Sequence, residues 1–317
     1  GFQNHHLLHG GYFLGTAHTV DQFAMFKHAV PYVIKGRPLT QIHGEIFSVH
    51  QSILETLDLF EGNPVWNFRE QVEVILEVEG ARLPGGQRLD WEAVEGIAGA
   101  ESSCFEIRDG MAEPVQFYSE ATDRAYSLYP TAGAPTMLVS GIPMHRIKDT
   151  DPHADTLEKI RAARPVVGQV LDTATGLGYT AIEAAKTAAH VPTIELDPAA
   201  LQVCRCNPWS QGLFNNPKIT QMVGDSFEVV LELENSSYTR IIHDPPAFAL
   251  AGDLYSGEFY RELHRLLRNN GRLFHYVGDP ESKSGHSITS GVMRRLEQAG
   301  FREVRRAPRA FGVTALK

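Results

Sequence analysis

The stretch Val170–Asp197, VLDTATGLGYTAIEAAKTAAHVPTIELD, decides the fold. An apolar run, Val170-Leu171, ends on Asp172, and a glycine turn follows at Gly176 and Gly178. The pattern then predicts a helix, with Thr180 and Glu183 at capping-box spacing. A second short strand, Thr193-Ile194-Glu195, ends on an acid. Strand, glycine turn, helix and strand with a terminal acid is the layout of a nucleotide-type ligand site. The glycines let backbone approach the ligand, the helix start faces it, and the acid takes a ribose hydroxyl pair. The dinucleotide pattern G-x-G-x-x-G would place glycine at position 181, where this chain has Ala181. Asp172 to Gly178 reads D-x-x-x-G-x-G instead.

Outward from this stretch the rhythm repeats. A helix from about Pro198 is stopped by Asn207-Pro208-Trp209. Strand-like Ile219–Val223 runs into Gly224-Asp225-Ser226, and Arg240-Ile241-Ile242-His243 runs into Asp244-Pro245-Pro246-Ala247-Phe248. Phe259, Leu263, Leu266 and Leu267 predict an amphipathic helix ending at Gly271. Arg272–Val277 predicts a fifth strand, and Ser290–Gly300 a further helix. Strands alternating with helices imply an α/β fold with a doubly wound sheet. Acids close four successive strands, Asp172, Glu195, Asp225 and Asp244, at the edge where such sheets bind ligands.

The D-x-x-x-G-x-G segment resembles motif I of the class I methyltransferases, which bind S-adenosylmethionine (SAM). The resemblance implies a Rossmann-like sheet ending in an antiparallel hairpin. It also implies a cofactor cradle of Asp172, Thr173, Gly176 and Gly178, with Glu195 on the ribose and Asp225-Ser226 on the adenine. His243-Asp244-Pro245-Pro246 resembles motif IV, the [ND]-P-P-[YF] loop of amino-methylating enzymes. There Asp244 would accept hydrogen bonds from a target nitrogen, and Pro245 and Pro246 would hold the loop rigid. Phe248 falls one place later than the aromatic of that motif, after Ala247. Residues 135–317 as a whole resemble a group of predicted class I methyltransferases of unassigned substrate, through GIPMHRI, TGLGYTA, NPWS, HDPPAF, DLYSGEFYREL and GRLFHYVG. His145, in the first of these, is expected to cover the methionine end of SAM or the acceptor. His243, Tyr255, Tyr260 and His275 are acceptor-side candidates, with core packing as the alternative. The acceptor is left open among small amines, RNA and protein. A polyamine-synthase-like aminopropyltransferase using decarboxylated SAM is the alternative reading; such enzymes carry G-G-G-x-G where this chain has Thr175-Gly176-Leu177-Gly178.

The first 79 residues are of another kind. GFQNHHLL, Gly15-Thr16, IHGEIFSV (42–49) and LDLFEGNPVWNFREQVEV (57–74) resemble the gamma-glutamyl cyclotransferase superfamily, nearest to the gamma-glutamylamine type. These enzymes release 5-oxoproline with one glutamate as acid and base, and Glu61 is the matching residue. A carboxylate at a helix C-terminus has its pKa raised by the dipole, which suits a proton shuttle. The strand and Y-G-T-L loop that open that fold would precede Gly1, so an N-terminally incomplete domain is expected. Residues 80–134 read as a linker through Pro84-Gly85-Gly86 followed by a small β-rich lead-in.

Bulk properties fit this division. The 317 residues, 43% hydrophobic and 21% charged, suit a soluble protein of one large or two ordinary domains. No apolar run is long enough to span a bilayer. Cys104, Cys204 and Cys206 give neither a disulfide framework nor zinc-ligand spacing, which suits a cytoplasmic protein. A net charge of −9 argues against non-specific nucleic-acid binding over the whole surface. Six arginines between Arg294 and Arg309 form a local basic cluster.

Overall fold

The computed structural model describes residues 88–248, 250–279, 282 and 285–317, together with the backbone of short strands among residues 12–82. Glu61 lies outside the described residues. The chain divides into two compact units, residues 1–101 with 105–113, and residues 102–104 with 114–317. In the first, Tyr12–Thr19 pairs antiparallel with His43–Ser48 on one side and Val74–Leu76 on the other. Phe23–Phe26 and Tyr32–Lys35 form a separate hairpin. The segment expected as linker holds a helix, Trp91–Gly99, whose start is capped by Asp90 accepting from the Ala93 amide. The Asp cap overrides the small residues that made the stretch read as a connection.

The larger unit opens with a four-stranded antiparallel sheet: β1 (Gln116–Ser119), β2 (Arg124–Tyr129), β3 (Thr136–Val139) and β4 (Ile142–Pro143). Its β1 and β2, expected as a lead-in, therefore belong to this unit. Next come α1 (Pro152–Ala163), β5 (Val170–Asp172), α2 (Tyr179–Ala185), β6 (Val191–Glu195) and α3 (Pro198–Cys206). They are followed by β7 (Ile219–Val223), α4 (Ser226–Glu232), β8 (Tyr238–His243) and α5 (Gly257–Leu266). The unit closes with β9 (Leu267–Tyr276), α6 (Gly285–Gln298), β10 (Arg302–Ala307) and β11 (Gly312–Leu316). The main sheet has the order β7-β6-β5-β8-β9-β11-β10. Its first five strands are parallel, and β11 runs antiparallel to both β9 and β10. The doubly wound α/β sheet and the terminal antiparallel hairpin are as expected.

Strand alternation supplies two cores. Val170, Ile242 and Phe274 join one with Ile160 of α1 and Ala181 and Ala184 of α2. Their neighbours Leu171, Ile241 and Leu273 join the other with Phe259 and Leu263 of α5 and Val292 of α6. Sheet residues buried on both faces explain the continuous apolar runs. Phe259, Tyr260, Leu263 and Leu266 form one fully buried stripe on α5, each apolar side chain contributing about 1.5–3 kcal/mol. The helix stops at Leu266, short of Gly271, because Leu267 pairs with Tyr238 and opens β9. Sheet pairing there overrides the helical period.

The C-terminal end of α1 is capped from the sheet. Arg240 Nε donates to Ala163 O at 3.1 Å, and Arg272 Nη1 donates to Arg164 O at 3.0 Å. Within the basic cluster, Arg295 donates to Tyr255 O, Arg302 to Lys317 O, and Arg305 pairs with Glu303. Among the described residues no helix is long and apolar enough to cross a membrane.

Candidate functional site

A cleft with about 1310 Å³ of free space, open mouth included, lies over the carboxyl ends of β5, β6 and β8 and under the first sheet. At one end it is lined by Thr173, Gly176, Glu195, Asp225 and Ser226, at the other by Asp244, Pro245, Pro246 and His145. Sequence-predicted residues from five separate segments thus share one cavity.

The loop after β5 owes its path to two left-handed glycines, Gly176 at φ +52° and Gly178 at φ +76°. A Cβ on Gly176 would point into open space, so room is kept for another group. A Cβ on Gly178 would meet Leu213 Cδ1 and Cδ2 at 3.0 Å. Gly178→Ala is therefore expected to lower unfolding free energy by about 1–3 kcal/mol, read from the denaturation midpoint. Gly178 is itself the N-cap of α2, and the expected capping box does not form. Thr180 Oγ1 donates instead to Asp172 Oδ2 at 3.0 Å, joined there by Thr193 Oγ1 at 3.0 Å. Glu183 turns to His153 and Lys186.

Asp172 is fully buried beneath the loop, and its Oδ1 makes no hydrogen bond of good geometry. Burial pushes its pKa up to about 7. Glu195 accepts from the Gly176 amide at 2.9 Å and the Asp197 amide at 3.2 Å. Burial lifts it as well to about 7, against the pull of those two amides. Asp225 caps α4 by accepting from Phe227 N at 2.8 Å, and Ser226 Oγ donates to Thr173 O at 2.6 Å. An open glycine position and the high-pKa carboxylate of Glu195 beside it suit a ligand that brings hydroxyl donors and positive charge.

At the other end Asp244 is held by a residue the sequence did not flag. Lys159, on the buried side of α1, donates to Asp244 Oδ2 at 2.7 Å. It also lies 2.9 Å from Asp155 Oδ2, an ion pair too far off line to count as a hydrogen bond there. Its ammonium sits 4.4 Å from the centre of the Tyr276 ring. Asp155 in turn accepts from Arg146 Nη1 at 2.8 Å. The result is an alternating chain Arg146–Asp155–Lys159–Asp244. Lys159 is only 2% exposed and Asp244 14%. Burial would pull the lysine pKa down, but the two carboxylates outweigh it and keep the ammonium charged. Burial raises the Asp244 pKa, and Lys159 opposes it.

The histidines have structural settings. His243 Nε2 donates to Leu254 O at 2.9 Å, which leaves Nδ1 to accept from Thr173 Oγ1 at 2.7 Å. Burial holds its pKa down at about 3. His275 pairs with Tyr260 Oη through Nε2 at 2.9 Å within the core. Tyr255 is buried and donates to Pro246 O at 3.0 Å, bracing the proline loop from behind. Phe248 is 47% exposed and packs edge-on against Tyr255. Asp172, Gly178, His243, Tyr255 and Phe248 thus stand around the cleft without lining it. His145 does line it, with Nδ1 3.0 Å from Thr136 Oγ1, and burial keeps it neutral with a pKa of about 3. Arg124, Tyr126 and Asp253 also line the cleft; Arg124 and Tyr126 lie in a segment without a motif, whereas Asp253 opens the DLYSGEFYREL segment, in which the tyrosines alone stand out as candidates.

This fold and this cleft define the class: a Rossmann-like, doubly wound α/β unit with a ligand cleft at its strand ends, preceded by a gamma-glutamyl cyclotransferase-like domain. The family model "Gamma-glutamyl cyclotransferase, AIG2-like" matches residues 1–90. The chain belongs to the same family as the uncharacterized protein MJ1233 of Methanocaldococcus jannaschii. The two are 41% identical over 251 residues, 78% of this chain and 85% of that protein. A polyamine aminopropyltransferase of Sulfolobus acidocaldarius is 30% identical over 112 residues, 33% of this chain and 37% of that enzyme. Among solved structures, spermidine synthase from Thermotoga maritima superposes with a TM-score of 0.51 at 17% identity, over 67% of this chain and 77% of that one. At that identity the likeness is one of fold.

Proposed function

We propose that the larger unit is a SAM-dependent methyltransferase acting on a nitrogen. One observation carries this reading: Asp244, oriented by Lys159, opens into the same cleft as the glycine loop and Glu195. The Thr173–Gly178 loop, with Asp172 beneath it, would hold the methionine side of the cofactor. Glu195 would take the ribose hydroxyls, and Asp225 with Ser226 the adenine. When bound, SAM supplies an electrophilic methyl group. Asp244 accepts a hydrogen bond from the acceptor N–H through Oδ1, which aims the nitrogen lone pair into the cleft. Pro245 and Pro246, braced by Tyr255, fix that carboxylate so that little orientation is lost on binding. His145, neutral and at the cleft wall, can donate or accept without adding charge. Cys104 and Cys204, both outside any disulfide, suit a cytoplasmic location.

Aminopropyl transfer from decarboxylated SAM is the second reading. It is favoured by the aminopropyltransferase relative and by a cleft lined with Glu195, Asp225, Asp244 and Asp253 against Arg124. Calorimetry with both cofactors separates the two, since preference for the decarboxylated form removes methyl transfer. Glu195→Ala is expected to weaken SAM binding about tenfold to a hundredfold, and unchanged affinity would remove the ribose assignment. A separate activity of the N-terminal domain, 5-oxoproline release from a gamma-glutamylamine, would be lost in Glu61→Gln.

A further inference from the structure

The ammonium of Lys159 lies among two carboxylates, Asp244 and Asp155, and the face of Tyr276. Opposed carboxylates and an aromatic face are the groups that recognise an alkylammonium. The protein has thus filled an amine-binding cage next to its cleft with its own side chain. Asp244 Oδ2 is taken by that side chain, and Arg146 closes the far side of Asp155. The four charges balance, so the carboxylate that reaches the cleft offers a hydrogen-bond acceptor without net attraction for a second cation. An incoming ammonium would also face the positive charge directly behind Asp244, in surroundings where water screens little.

We infer that Lys159 sets acceptor specificity: the nitrogen presented to Asp244 is a neutral N–H donor, of the amide or planar exocyclic-amine class, and protonated polyamines are excluded. This rests on the reading of the cleft as a SAM site, and it separates methyl transfer from the polyamine alternative by the acceptor rather than by the cofactor.

The test is calorimetric. Wild-type protein is first titrated with S-adenosylhomocysteine; no binding would remove the cofactor reading itself. The protein saturated with that nucleoside is then titrated with putrescine and spermidine at 0.15 M salt, where loose surface attraction is screened. Wild type is expected to give no saturable heat at millimolar amine. Lys159→Ala, which empties the cage but keeps both carboxylates, is expected to bind the amines at least about tenfold more tightly than wild type. Propylammonium is expected to raise the thermal midpoint of Lys159→Ala and leave that of wild type unchanged. Saturable spermidine binding by wild type equal to that of the variant would overturn the inference, as would a variant indifferent to all three amines. Should Lys159→Ala fail to fold, the wild-type titration still decides: saturable spermidine binding overturns the proposal, and its absence supports it.

Discussion

Asp244→Ala is expected to lower the unfolding free energy by about 3–5 kcal/mol, the usual result of breaking a buried ion pair from one side. Lys159 is 2% exposed and donates to Asp244 at 2.7 Å, so truncation leaves an ammonium with Asp155 alone to balance it. Arg146 already draws on that same carboxylate. The buried charge cannot reach water, and the loss is close to that of an uncompensated cation. Asp244→Asn keeps the shape and an acceptor oxygen but not the charge, and its effect should fall between Ala and wild type. Urea unfolding of the three proteins checks the order, the midpoints moving at constant slope. A loss below about 1 kcal/mol in the Ala variant, the range of exposed pairs, would mean that the pair is solvated. The same substitution is expected to reduce methyl transfer by more than its effect on nucleoside affinity, because Asp244 stands at the acceptor end and accepts its hydrogen bond from Lys159 rather than from the glycine loop.

The sheet was legible because its strands are buried on both faces and end on acids. Val170-Leu171-Asp172 and Ile241-Ile242-His243-Asp244 have no other reading that also explains the glycine turn. What eluded the sequence was wherever a local rule lost to a tertiary partner. Thr180 sits at capping-box spacing from Glu183, yet its hydroxyl serves Asp172, which is buried and in need of donors. Leu267 continues the α5 stripe, yet it pairs with Tyr238 in the sheet. Lys159 was missed for a different reason. An Asp155–Lys159 spacing of four on a helix ordinarily marks a solvated ion pair. The available clue was that Lys159 falls in one stripe with Thr156, Ile160 and Ala163, all buried, so the pair had to point inward. His243 shows the reverse: beside the Asp-Pro-Pro motif it reads as an acceptor-side candidate with core packing as the alternative, and both its ring nitrogens bond inside the fold.

The two high-pKa carboxylates make a pH prediction with a definite sign. Asp172 and Glu195 both rise to about 7, from ordinary values of 3.8 and 4.5, because burial penalises their charge. Between roughly pH 4 and 7 the folded protein holds protons that the unfolded chain has shed. Their contribution to stability is therefore fully present below about pH 4 and is lost as pH rises through 7, by at most about 1.4 kcal/mol per unit for each group. Asp197 and Glu183 are shifted down, so their contribution is lost at the acid end. The ligand-free protein should accordingly be most stable near pH 5 and weaken toward pH 8, as thermal unfolding across that range would show. A cationic nucleoside reverses the balance at Glu195, which lines the cleft, because its ionised carboxylate is the form that accepts the ligand's hydroxyls and offsets its charge. SAM affinity is expected to climb between pH 5 and 7 and to level off above, with protons released on binding. Titrations at pH 6 in two buffers of different ionisation enthalpy read that release directly. Heats identical in both buffers, or proton uptake, would show that Glu195 does not ionise to receive the ligand.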